Sequence, residues 1–365
     1  MEKIRLFKVH HPPHNRYLED TMKSGFYAEG PRTAEFEKKM GEFLDNPLTL
    51  TVNSGTSSLF LAMYLADVKP GKMVITTPIT SPATNISIPR LGGQILWADV
   101  DKNSGNISAQ SVSRLLDKFG DKVVAVVGVD WGGMPCDFEA LEKIINGRAC
   151  LIDDAAHALG ATYKGRTIGA CADLSCFSFQ AIKHITTGDG GLLTCRDEKV
   201  YERARKLRWF GIDRSKPNRS FGDDVIEAGF KFHMNDIAAS IGLAQLEDLS
   251  GILKRRREIA KYYEANLKDF DFQKTDYDCQ SAYWLFTIKI NKREEVMKKM
   301  AEMNIDVSPV HCRNDNYTCF RDCAAGKDEL INTADFDQRM LCLPVGDWLM
   351  DAEVEYIAAS LKKII

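Results

Sequence analysis

At 365 residues the chain is longer than one average domain, which points to two lobes built around an extensive core. Hydrophobic residues make up 44% and charged residues 27%, and the formal net charge is −3, so nothing electrostatic favours nucleic acid or an anionic membrane as partner. No apolar run approaches the roughly 20 residues of a membrane span, and MEKIRLFKVHHPPHNRYLED lacks the apolar core of an export signal. The chain reads as a cytoplasmic protein.

Ten cysteines are scattered along it without a CxxC pair, which reads as reduced thiols, many of them buried, and leaves no paired ligands for a structural metal. His10, His11 and His14 read as part of a solvated N-terminal arm.

LTLTVNSG reads as a strand entering a turn, and SSLFLAMYLADV as an amphipathic helix that stops before Pro70 and Gly71. MVITTP, QILWADV, VVAVVGVD and ACLIDD are short Val- and Ile-rich runs, each ended by Pro, Gly or Asp, with the helical CDFEALEKIING between the last two. Strands alternating with helices imply parallel pairing through crossovers, hence an α/β sheet with both faces covered. Ligands of such sheets gather at the carboxyl ends of the strands. From about residue 251 the texture changes to a charged connector helix, KRRREIAKYYEANLKDF, whose basic cluster reads as a solvated face. The strand AYWLFTIKI and the helices REEVMKKMAEM and DAEVEYIAASLKKI follow. The expected division is a large α/β domain over 1–250 and a small α+β domain over 251–365.

Four stretches could carry chemistry. Asn53-Ser54-Gly55-Thr56-Ser57-Ser58 offers hydroxyls and free backbone N–H groups at a helix start, either as a phosphate cup or as a simple cap. Asp153 and Asp154 sit where a buried strand ends, a costly position unless a cation or donors meet the charge, although a helix cap is the plainer alternative. SFQAIKHITTGDGG contributes Ser178 and Lys183, with glycines that permit a tight turn behind a lysine that alone would read as a surface residue. GFKFHMND is an aromatic and basic turn before the helix IAASIGLAQLEDL. Together, a phosphate cup, a carboxylate and a lysine in this order are the three anchors that pyridoxal phosphate requires.

These residues resemble the DegT/StrS family of pyridoxal-phosphate sugar aminotransferases. The likeness runs through EGPRTAEFE, NSGTSSL, LIDDAAHALGATYKGRTIG, SFQAIKHITTGDGG and AASIGLAQL, and more loosely through NIDVSPVH and the Leu343–Pro344 pair. It implies the type I fold of pyridoxal-phosphate enzymes, like that of aspartate aminotransferases: a large mixed-sheet lobe, a small α+β lobe, and a homodimer with shared active sites. By position, Lys183 would bond to the cofactor aldehyde and Asp154 would pair with the ring nitrogen. His157 would contact the ring hydroxyl side, and Thr56, Ser57 and Ser178 would hold the phosphate.

Where the family has an Asn-aromatic-Arg turn, this chain has Lys231, Phe232 and His233, with Lys231 as a point charge toward the phosphate. Ser81 stands where the family has a ring-stacking aromatic residue. His311 and Arg313 are candidates for contacting an anionic nucleotide sugar. The implied activity moves an amino group from L-glutamate to a keto carbon, C4 by family habit, of a nucleotide-linked 6-deoxy sugar in glycan biosynthesis, as a GDP-perosamine synthase does. Sugar dehydration, cyclitol amination and a non-catalytic regulator on the same fold are the alternatives. The branch that dehydrates replaces the lysine with His, whereas here Lys183 is present.

Overall fold

A computed structural model describes residues 2–214 and 224–364. An N-terminal arm leads into α1 (Arg16–Ser24) and α2 (Pro31–Phe43). Strands and helices then alternate through β1 (Thr49–Val52), α3 (Gly55–Leu65), β2 (Met73–Thr76), α4 (Pro82–Arg90) and β3 (Gln94–Trp97). The alternation continues with α5 (Ala109–Phe119), β4 (Val123–Val129), α6 (Phe138–Ile145) and β5 (Cys150–Asp154). Short strands β6 (Thr162–Tyr163) and β7 (Arg166–Thr167) precede β8 (Leu174–Ser178), β9 (Gly191–Cys195), α7 (Glu198–Leu207) and the long α8 (Asp236–Asn266). The remainder holds β10 (Asp271–Phe272), β11 (Cys279–Gln280), β12 (Phe286–Lys289), α9 (Arg293–Glu302) and α10 (Thr318–Arg321). β13 (Ala324–Lys327), α11 (Ile331–Arg339), β14 (Met340–Leu343) and α12 (Asp351–Ile364) end it.

Eight strands form one sheet in the order β1-β9-β8-β5-β4-β2-β3-β13. The apolar runs read from the sequence are β1 to β5, each buried nearly throughout, as a sheet covered on both faces requires. All neighbouring pairs are parallel except those of β9, which runs antiparallel to both β8 and β1. The sheet is therefore mixed. Because Ser178 pairs with Gly191, the loop 179–190 that carries Lys183 stays at the carboxyl end of β8, beside the carboxyl end of β5. One buried apolar cluster fills each face of this sheet. A third joins α8, α9 and α12 to the antiparallel sheet β10-β12-β14.

Three local expectations change. The helix after β1 is not amphipathic: Ser57, Ser58, Leu59, Leu61, Ala62 and Met63 are all buried, because α3 is held between the sheet and α4 and α7. The basic cluster near 255 is not a solvated face. Arg256 is 2% exposed and donates to the carbonyls of Tyr283, Trp284 and Val345, and Arg257 donates to those of Gly160 and Ser281. Irregular backbone buried where the lobes meet leaves carbonyls that need donors, and these guanidinium groups supply them. Finally, His10 does not belong to a solvated arm: its two ring nitrogens meet Asp347 and Asp248 at 2.8 and 2.9 Å. His11 and His14 are exposed.

The expected boundary at 250 falls inside α8, which continues without a break. β13, from the C-terminal segment, pairs in parallel with β3 at the edge of the large sheet. Among the described residues no helix is long and apolar enough to cross a membrane.

Candidate active site

A cavity of about 420 Å³ opens at the carboxyl ends of β5 and β8, lined from α3, the start of α4, the loop 179–190 and the segment around 308–311. Seven of the residues singled out from the sequence bear on it: Thr56, Ser81, Asp154, His157, Ser178, Lys183 and His311.

The α3 end is built by capping. Ser54 Oγ accepts from the Ser57 backbone N–H at 3.0 Å, while Ser57 Oγ donates to Asn53 Oδ1 at 2.6 Å. Ser57 is thus spent within the turn and does not line the cavity, where Ser54, Gly55 and Thr56 do. Gly55 is required by contact: a Cβ there would lie 2.8 Å from Ser178 Cβ. The glycines behind Lys183 divide their work. Gly188 takes a left-handed φ of +83°, and a Cβ on Gly191 would strike the Ser54 carbonyl at 2.4 Å. Free N–H groups at a helix start, a threonine hydroxyl and Ser178 give this end the donors that an anion would need.

Asp154 ends β5 and is 5% exposed. Its Oδ2 accepts from Thr84 Oγ1 at 2.6 Å and its Oδ1 from the Ala156 N–H at 3.2 Å, while Thr84 is bonded in turn to Thr80 at 2.6 Å. Burial pushes the carboxyl up from its ordinary range, against the pull of Thr84, Ala156 and Lys183. Burial also lowers the Lys183 amine to about 7, against Asp154. A buried carboxylate and a half-buried lysine whose charges partly hold each other thus face one cavity. His157 and His311 are both kept neutral, chiefly by burial, His157 well below its ordinary value and His311 at about 4. Their rings lie parallel, 9° apart, and His157 Nδ1 and His311 Nε2 have no partner among the described residues.

Two candidates lie elsewhere. Arg313 is held by Asp315 through two bonds of 2.9 and 2.7 Å and does not line the cavity. Lys231 is exposed, with its ammonium over the Trp209 and Phe210 rings, outside this cavity.

Sequence reasoning missed Phe7, Thr84 and Trp284. Trp284 stacks on His157, centroids 3.8 Å and planes 15° apart, and carries the Lys183 ammonium 3.8 Å from its centroid. Its place inside a strand-like apolar run concealed it. Ser81 caps α4 by accepting from the Ala83 N–H. Val310 lines the cavity at φ +69°, a left-handed conformation that costs a β-branched residue roughly 1–3 kcal/mol and is held where the site needs the turn into His311.

Residues 11–362 match the DegT/DnrJ/EryC1/StrS aminotransferase family. The chain belongs to this family. It is 31% identical to the spore coat polysaccharide biosynthesis protein SpsC of Bacillus subtilis, over 95% of this chain and 92% of that one. It is 32% identical to the GDP-perosamine synthase of Escherichia coli O157:H7, over 81% of this chain and 80% of that one. The crystal structure of the sugar aminotransferase CalS13 from Micromonospora echinospora superposes with a TM-score of 0.92 at 33% identity, covering 99% of both chains. The fold is that of the type I pyridoxal-phosphate enzymes, as the resemblance implied.

Proposed function

We propose that the protein is a pyridoxal-phosphate aminotransferase that moves an amino group from L-glutamate to the keto carbon, at C4, of a nucleotide-linked 6-deoxy sugar, as a cytoplasmic homodimer in glycan biosynthesis. The observation that carries this reading is the pairing of Asp154 with Lys183 across one cavity that also ends in an anion cup.

The residues present fit the cofactor. Asp154 is a buried carboxylate lacking a full counter-charge, Gly55 and Gly191 leave room where a Cβ would intrude on the cup, and His157 Nδ1 is an orphaned polar atom on the cavity wall. Thr56 and Ser178 would hold the phosphate, with Ser57 contributing only through the cap it closes with Ser54. When bound, pyridoxal phosphate supplies a protonated ring that accepts the electron pair left at the substrate carbon. Asp154 would keep the ring nitrogen protonated, and Thr84 and the Ala156 N–H hold that carboxylate in place. Lys183, with an amine lowered to about 7, can accept and return a proton at the substrate carbon near neutral pH. Neutral His157 would hold the ring hydroxyl side without adding a second positive charge. His311 lines the cavity and would contact the substrate. Arg313 would reach a nucleotide sugar only by leaving Asp315, and Lys231 would serve the partner subunit's phosphate cup.

The test is direct. The purified protein should be yellow, and Lys183→Ala should lose covalent cofactor; retention of covalent attachment overturns the assignment. A panel of GDP-, UDP- and dTDP-linked keto sugars with labelled glutamate should give one product carrying the label. Label found on none of them rejects the substrate class.

A further inference from the structure

We propose that Trp284 is the seat on which the Lys183 amine rests whenever it is not bonded to the cofactor, and that this indole sets the amine's position and charge. The proposal rests on the aminotransferase reading, which requires Lys183 to be freed and recaptured in each turnover.

Three contacts of one side chain point to it. Trp284 Nε1 donates to the carbonyl of Ile182 at 2.8 Å, tying the indole to the backbone one residue before the lysine. The Lys183 ammonium lies 3.8 Å from the ring centroid. The ring itself is fixed: it is 1% exposed, stacked on His157, and backed by Phe7 of the N-terminal arm at 5.1 Å and 26°. A side chain anchored to the lysine's own backbone and presenting its face to the lysine's head cannot drift relative to it.

The chemistry suits a lysine that must come and go. The titratable groups around the amine are Asp154 from β5, His157 from the turn after it, His184 and Asp189 on the lysine's own loop, and His311 opposite. The three imidazoles are held neutral, and of the two carboxylates Asp154 is the one whose charge acts on the amine, while it is needed at the ring nitrogen. An aromatic face attracts an ammonium in a dry site without forming a directional bond that must later break. It also leaves the amine's lone pair free once the proton has gone. Trp284 is therefore a positioning residue, acting through Lys183.

The experiment follows reductive methylation of Lys183 across pH in the cofactor-free full-length protein, read by peptide mass spectrometry, since only the neutral amine reacts. In the wild type the midpoint should lie near 7. Removing the face in Trp284→Leu takes away a stabiliser of the ammonium, so the midpoint should fall by about one pH unit. Trp284→Phe keeps a face but loses the bond to Ile182, and should shift the midpoint by less than half as much. No shift, an upward shift, or equal shifts in both variants overturns the proposal. If a variant does not fold, the wild type still decides: the ¹³C-methylated Lys183 should resonate upfield of the other lysines through the indole ring current, and an ordinary position overturns it. Neither measurement uses cofactor or substrate. Loss of the aminotransferase reading would appear instead as a wild type that takes up no pyridoxal phosphate.

Discussion

Asp154 accepts one hydroxyl and one backbone N–H, and both bonds matter because the carboxylate is buried beside a single amine. Hydrogen bonds to a charged group are worth roughly 1.5–3 kcal/mol, so Thr84→Val, which keeps the shape and removes the donor, should lower kcat by about ten- to a hundredfold. Cofactor should remain bound, and an unchanged kcat would show that Thr84 has no part in holding the charge. Asp154→Ala should likewise retain some cofactor and lose most turnover. Asp154 was legible because a carboxylate ending a buried strand demands a reason. Thr84 was not, since a threonine in a helix start looks the same whether it caps the helix or supports a carboxylate from 70 positions away.

At the scale of elements, the proposed anion cup depends on the start of α3 coming close to β8 and β9, which Gly55 and Gly191 permit by carrying no side chains there. Gly55→Ala would set a Cβ 2.8 Å from Ser178 Cβ, on a strand paired along both edges and unable to yield. Overpacking of this kind costs about 1–3 kcal/mol, visible in a thermal melt. The displaced helix start should also bind phosphate at least tenfold more weakly. The check is the ratio of affinities for pyridoxal phosphate and phosphate-free pyridoxal, which should shrink in the variant; an unchanged ratio would remove α3 from the phosphate site. The strand-and-helix alternation that leads to this geometry was readable because β2 to β5 lie in short apolar runs with sharp stops and β1 runs straight into a turn. β8 and β9 escaped notice since LSCFS and GLLTC mix small and polar residues, and their strand character comes from burial within the sheet.

At the scale of the molecule, one histidine joins three parts of the chain. His10 in the arm bridges Asp248 on α8 and Asp347 in the turn before α12, and its pKa is raised, chiefly by the bond to Asp347. A histidine whose folded pKa exceeds its unfolded value contributes stability in full below about 6.5, and that contribution fades as pH rises through the folded value. His10→Gln should therefore destabilise the protein at pH 6 and have a smaller effect at pH 9, measured by denaturant midpoint at each pH. Equal losses at both would mean that the charge of the clasp contributes nothing.

The amino-acid sequence by itself determined the class of fold, and it singled out Lys183 and Asp154, which the structure brings to one cavity. Strand periodicity is local, and a motif set in a fixed order survives without coordinates. Only the tertiary structure decided that Ser57 turns its hydroxyl to Asn53 while the capping Ser54 lines the cavity, that Arg313 faces Asp315, and that the basic cluster of α8 serves buried carbonyls. It alone brought Trp284 and Phe7, 277 positions apart, to the wall beside Lys183. Such assignments depend on which groups burial brings within bonding distance, and that distance is set by packing between elements far apart in the chain.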